Sequence, residues 1–198
     1  MDWTGSAGSR AGTAPSSRSL VIFSSNVLGF ALLIALASRM SLPVPGTQVP
    51  ATLQTLAVLL AGGLLGPWGG VASVLAYLGA GLAGAPVFAM GGGPAYLLGP
   101  TGGYLVGLLP AAWIAGLTSR RTDRLLFLAP GFLLASLAIH LAGWAQLSGF
   151  AGPAPAFGMG VAPFLAFDAL KALAAAAIVR SRRRMAARKR ASREESLP

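Results

Sequence analysis

The sequence predicts an all-α, polytopic membrane protein of six transmembrane helices with both termini cytoplasmic. Three observations predict it. Of 198 residues, 55% are hydrophobic and 10% charged, against about a quarter charged in a soluble domain. The apolar runs are too long and too numerous for one globular core. The basic residues are also segregated, with eight of the fifteen lying between positions 180 and 193, directly after the last apolar run.

Taken in order, residues 1–18 are rich in Gly, Ser and Ala and read as a flexible cytoplasmic tail. They are not a cleaved signal peptide, because the apolar core starts only near Leu20 and continues as a full-length span. A membrane domain over 19–184 follows, with spans expected at 20–38, 53–65, 70–82, 103–117, 125–147 and 161–179. The second and third are short for a bilayer needing about 20 residues, so they recruit flanking residues, and Gly66-Pro67 marks the turn between them. Residues 185–198 form a basic cytoplasmic tail.

Orientation follows from the basic residues. The basic C-terminal cluster belongs in the cytoplasm, which places Arg120, Arg121 and Arg124, between the fourth and fifth spans, on the same side. The long connections 40–52, 84–102 and 148–160 then face outward and contain no Lys or Arg. Arg39, at the outer end of the first span, is the exception. The outer loops carry Pro, Gly and aromatic residues together. Gly permits close backbone approach and Pro limits entropy, so these loops are expected to form a lid over a ligand site.

The net charge of +10 raises the question of nucleic acid. Its concentration beside the last span reads instead as an anchor near anionic lipid. Without cysteine, disulfides and thiolate metal sites are excluded, and a single histidine leaves no cluster for a metal.

Within the last apolar run stand Asp168 and Lys171. The other acidic residues (Asp2, Asp123, Glu194, Glu195) lie in the termini or a polar loop. Three residues apart on a helix, Asp168 and Lys171 share a face. Ionisable groups in a span are costly and generally pair or line a substrate path. With the helix starting at 161, Asp168 is expected about seven residues, or roughly 10 Å, below the outer helix end, and Lys171 one turn deeper.

Four segments together resemble the BioY family. They are Val49-Pro50-Ala51-Thr52-Leu53-Gln54-Thr55-Leu56, Gly84-Ala85-Pro86-Val87-Phe88-Ala89, Gly99-Pro100-Thr101-Gly102-Gly103-Tyr104, and Pro163-Phe164 with Asp168-Ala169-Leu170-Lys171. The resemblance spans about residues 20–184. It departs from the family where Phe167, rather than glycine, precedes Asp168. It implies a biotin-binding S component of an energy-coupling factor (ECF) transporter in a prokaryotic-type plasma membrane. It also implies six helices, a vitamin site near the outer face, and a separate energising module of one membrane scaffold subunit and two ATPase subunits. No cofactor is expected, biotin being the transported ligand. The chain lacks a Walker A pattern, so ATP hydrolysis belongs to other chains.

Biotin presents a flat neutral ureido ring with two N–H donors and a carbonyl, a thioether ring and a carboxylate. Asp168 is the expected acceptor for the ureido N–H groups, and Lys171 either donates to a ligand oxygen or neutralises Asp168. Thr52 and Gln54, at the start of the second span, are either neutral donors or helix-capping and interhelical groups. Tyr104 offers its hydroxyl or ring face, or belongs to an interfacial belt. Phe88 and Tyr96 are candidates to cover the apolar rings, while Gly102 lets the loop approach the ligand. Arg39 either attracts the carboxylate or snorkels to headgroups. His140, alone in the fifth span, is expected to make a helix–helix hydrogen bond. Ala31 and Ala35 form a small-xxx-small pattern that serves either internal packing or, as the resemblance implies, docking on the scaffold subunit. Three other readings stand beside this one. An S component for another vitamin remains in the same class. An intramembrane enzyme using Asp168 as base lacks a second catalytic partner, and a pore-forming or structural protein has little use for a buried Asp–Lys pair.

Overall fold

The computed structural model describes residues 16–195. Residues 1–15, the greater part of the tail expected at 1–18, lie outside the described residues, as do residues 196–198. Among the described residues the architecture is helical, and one two-residue ribbon is the only sheet. Four helices are long and apolar enough to cross a membrane, and one bent pair adds a fifth. The chain is therefore an integral membrane protein.

The first helix, α1 (Ser17–Arg39), begins at Ser16, whose side chain accepts from the Ser19 amide at 3.3 Å. That contact occupies one of the four donors left orphaned at a helix start. One face of α1 packs on the next helix, while Leu28, Leu32 and Leu36 face outward, a pattern suited to lipid. The connection 40–52 closes on itself as an antiparallel ribbon of β1 (Ser41–Leu42) and β2 (Ala51–Thr52), with Ser41 opposite Thr52.

Helix α2 (Gln54–Leu82) is continuous only by its hydrogen-bond bookkeeping. Gly66 stands at φ 79° and ψ 178°, a backbone open to glycine, and Pro67 disfavours helix at the residue before it. A Cβ added to Gly70 would lie 2.6 Å from the Gly62 Cα. Eight residues along a straight helix span about 12 Å, so the chain doubles back at Gly66. This is the turn expected at Gly66-Pro67, and it sets residues 54–65 against 67–82.

The connection 84–102 holds the short α3 (Pro94–Leu98) and an isolated bridge between Phe88 and Gly91. Then follow α4 (Gly102–Arg121), α5 (Leu125–Ala151), α6 (Pro153–Gly160) and α7 (Leu165–Glu195). Helix α4 packs between α2 and α5 on glycines. A Cβ on Gly62 would meet the Ala112 carbonyl at 2.2 Å, and one on Gly107 would meet the Ile139 Cα at 2.8 Å. Such close backbone approach is how helices gain contact in lipid, where apolar burial alone drives little association.

Three sequence expectations change. The stretch 148–160, expected as an irregular loop, is helical almost throughout. Helix α5 runs on to Ala151, Gly152 turns at φ 82°, and Pro153 starts α6 with φ pre-set for a first turn. The last span begins at Leu165 rather than 161, after four turn residues, and meets α6 at a 52° bend. The basic segment 185–198 is not a separate tail in its described part, because α7 continues through it to Glu195. At 31 residues, or about 46 Å, α7 exceeds a hydrocarbon core of about 30 Å. Its basic end therefore projects beyond, and there the Arg183 guanidinium donates to the Ser119 carbonyl near the end of α4.

Candidate functional site

Starting α7 at Leu165 places Asp168 in the first helical turn. Unpaired backbone N–H groups there stabilise a carboxylate. One turn on, the Lys171 ammonium donates to Asp168 Oδ1 at 2.5 Å and to the Thr52 carbonyl at 2.6 Å. The second bond ties α7 to β2, 119 positions away in sequence. Phe167, where the family pattern has glycine, sets its ring 4.2 Å from the same ammonium, a cation–π contact. From α5, His140 Nε2 approaches Asp168 Oδ2 to 3.0 Å. That is a hydrogen-bonding distance without hydrogen-bonding alignment, so the contact is in the first instance electrostatic. All three side chains are buried, with residue exposures of 6% for Asp168 and Lys171 and 3% for His140.

These groups form one wall of a cavity. The space a water's centre can occupy is about 70 Å³, and the whole gap between the lining atoms, open mouth included, is about 630 Å³. The smaller figure holds several waters. The ribbon residues around Thr52 and the 84–102 connection, through Ala89, Tyr96 and Thr101, line the cavity. Tyr104, Leu108, Ile139 and Phe164 supply ring and aliphatic surface.

The structure thus brings Asp168, Lys171, Thr52, Gln54, Tyr96 and Tyr104 to one cavity. Thr52 does so chiefly through its backbone: its carbonyl accepts a hydrogen bond from the Lys171 ammonium, and its hydroxyl oxygen accepts from the Gln54 backbone N–H at 3.3 Å. Gln54 is 7% exposed and its Nε2 has no hydrogen-bond partner among the described residues. The Tyr104 hydroxyl donates to the Gly160 carbonyl at 2.8 Å, so its ring is the part left for a ligand.

Phe88 and Gly102 are not among the lining residues. Phe88 is fully buried behind the wall, edge-on to Tyr77 at 5.5 Å and 5.1 Å from the Tyr96 ring it supports. Gly102 makes a close approach to its own loop instead, since a Cβ there would fall 1.9 Å from the Leu97 carbonyl oxygen. Arg39 donates to the Phe88 carbonyl at 3.4 Å, bonding the loop rather than the cavity. Ala31 is buried in this chain's own core and Ala35, half-buried, packs beside it.

Sequence reasoning missed His140 as a member of this site. The signal was available: along with Asp168 and Lys171 it is one of the few ionisable groups within the apolar runs, and such residues are functional candidates by default. In place of the expected helix–helix hydrogen bond, the ring makes an unaligned 3.0 Å approach to Asp168 on α7.

Comparison with known proteins agrees with this geometry. The model of the BioY family matches residues 15–188. A probable biotin transporter BioY of Pyrococcus horikoshii is 43% identical over 150 residues, covering 75% of this chain and 90% of the relative. A biotin transporter BioY of Thermotoga maritima is 37% identical over 153 residues, covering 75% and 88%. The crystal structure of the S-component for biotin from an ECF-type ABC transporter superposes with a TM-score of 0.78 at 27% identity, covering 86% of this chain and 95% of that one.

Proposed function

The chain belongs to the BioY family, and on that premise we propose that it is the biotin-binding S component of an ECF transporter. It is a transport component, not an enzyme. The observation that carries the reading is the buried Asp168–Lys171 pair set in the wall of a cavity that two connecting segments help to line.

The unspent hydrogen-bonding capacity of the cavity matches the ligand. Lys171 has three N–H donors and spends two, leaving one for a ligand oxygen. The Asp168 carboxylate has about four lone-pair sites, with one approach to each oxygen already made, so it can still accept from ureido N–H groups. Gln54 Nε2 supplies a further buried donor. Tyr96, Tyr104 and Phe164 give the apolar rings a wall. Phe88 and Gly102 then act indirectly, by holding Tyr96 and the loop in place.

The two arms of α2 are separate crossings, which with α1, α4, α5 and the α6–α7 pair makes six transmembrane helices. What supports this count is the reversal at Gly66. Basic residues at the ends of α4 and α7 favour cytoplasmic termini in a cell membrane, and the cavity then opens outward beneath its lid. Uptake is energised by a separate module of a membrane scaffold subunit and two ATPase subunits. The open apolar face of α1, with Ala35 at its edge, is the surface offered to the scaffold.

Equilibrium binding of labelled biotin to the purified protein tests the reading, with wild type compared to Asp168→Asn. Expected is tight wild-type binding that weakens at least tenfold, about 1.4 kcal/mol, in the variant. A folded wild type that fails to bind biotin overturns the assignment.

A further inference from the structure

His140 is the one buried ionisable side chain at the cavity that the ligand assignments above leave without a task. It reaches the site from α5, while Asp168 and Lys171 both come from α7. A lysine alone would leave the Asp168 carboxylate free to rotate, because its ammonium holds only Oδ1. His140 Nε2 stands 3.0 Å from Oδ2, so each carboxylate oxygen meets a group from α5 or α7. The approach is not aligned as a hydrogen bond, but a contact on each oxygen limits rotation of the carboxylate, and with it the direction of the lone pairs left for a ligand donor. Outer partners of this kind are what hold a binding group in its productive orientation.

The histidine is itself held in place. The ring lies between the polar cavity and an apolar groove on the outer side of α5 and α7, lined by Leu133, Leu137, Leu165 and Ala169. Hydrocarbon on that side offers its nitrogens no hydrogen bond. Polar side chains that share the cavity lining with it include Asp168 and Lys171 from α7, Tyr104 from α4 and Gln54 from α2. Among the described residues neither ring nitrogen has an aligned hydrogen-bond partner, and Asp168 is the group that Nε2 approaches.

We infer that His140 is a positioning residue for biotin recognition, orienting the Asp168 carboxylate from the opposite helix to Lys171. The inference rests on the biotin reading for its consequence and on the His140–Asp168 contact for its cause, and the two are separable by experiment. Because the chain has one histidine, selective ¹⁵N-histidine labelling of protein purified without a histidine tag gives the spectrum of this ring alone. Expected are ring-nitrogen resonances that shift on Asp168→Asn, and shift again when biotin is added to wild type. Biotin affinity should fall at least tenfold in His140→Phe. In His140→Gln, whose amide can reach the same carboxylate, it should recover to within about threefold of wild type.

Resonances that ignore Asp168→Asn overturn the inference. So does a folded His140→Phe that binds like wild type, or a folded His140→Gln that binds no better than His140→Phe. If wild type fails to bind biotin, the functional reading falls, and the response of the resonances to Asp168→Asn still decides whether His140 positions the carboxylate.

Discussion

Consider removal of the lysine charge, Lys171→Met, within a double-mutant cycle with Asp168→Asn. Lys171 and Asp168 are each 6% exposed, and the ammonium makes two contacts of 2.5 and 2.6 Å. Deleting one partner of a buried pair leaves the other charge uncompensated, at about 3–5 kcal/mol. Replacing both partners by neutral groups of similar volume is close to neutral. For a chain of this size, 1 kcal/mol moves the melting temperature by about 2–4 °C. Each single variant should therefore melt about 6–20 °C below wild type, and the double variant within about 4 °C of it. The assay is thermal denaturation in detergent followed by intrinsic fluorescence, with biotin affinity measured on the same samples. All three variants should lose biotin binding, the restored double variant included. A double variant that melts lower by the sum of the singles would refute the pairing. One that melts like wild type and still binds biotin would show that the pair only holds helices together.

Four further outcomes are expected. Gln146 on α5 donates to the Leu97 and Gly99 carbonyls at 2.8 and 2.6 Å and so pins the far end of the covering loop. Gln146→Ala should speed biotin dissociation about tenfold in a chase experiment, and an unchanged rate would free this loop of any gating role. Gly66→Ala should lower the melting temperature by about 2–8 °C, because φ is 79° and a Cβ would sit 3.0 Å from Arg120 Nε. Gly29→Ala on α1, with nothing within 4 Å, should leave it unchanged or raised. Tyr104→Phe deletes the bond to the Gly160 carbonyl at about 1 kcal/mol, and biotin affinity should fall by less than tenfold. A larger loss would mean that the hydroxyl itself meets the ligand.

The helical class and the approximate spans were legible because a bilayer imposes one length and one polarity on every crossing. Asp168 and Lys171 were legible for the same reason: charge inside an apolar run carries its own explanation. What escaped depended on tertiary geometry. The role of His140 is created by α5 and α7 meeting, and no local pattern around residue 140 records that encounter. The Lys171–Thr52 bond ends on a backbone carbonyl, which every residue possesses, so side-chain identity could not announce it. Helix α6 was missed because Pro, Gly and Ala read as loop, although Pro153 at a first helical position is compatible with helix. Phe88 looked like a ligand-facing aromatic and is instead buried behind Tyr96. An aromatic in a loop serves either purpose until the loop is folded.

The arrangement of the site also bears on how a ligand could enter and leave it. Lys171 joins the first turns of α7 to the ribbon just before α2, and Asp168 faces a histidine from α5 across the same cavity. Three separate parts of the chain thus meet at one small group of polar side chains: Asp168 and Lys171 lie in the first two turns of α7 and Thr52 just before α2, while His140 sits about three turns inside α5. Ends can move by rearranging loops, whereas the glycine-packed middles of α2, α4 and α5, in contact through backbone atoms, cannot part without losing their fit. A ligand that takes the last Lys171 donor and the remaining Asp168 acceptors adds bonds to this junction without breaking those already there. Binding should therefore tighten the covering segments against a frame that stays fixed. Hydrogen exchange would report that as slower exchange confined to 40–52 and 84–102, with the packed helices unaltered.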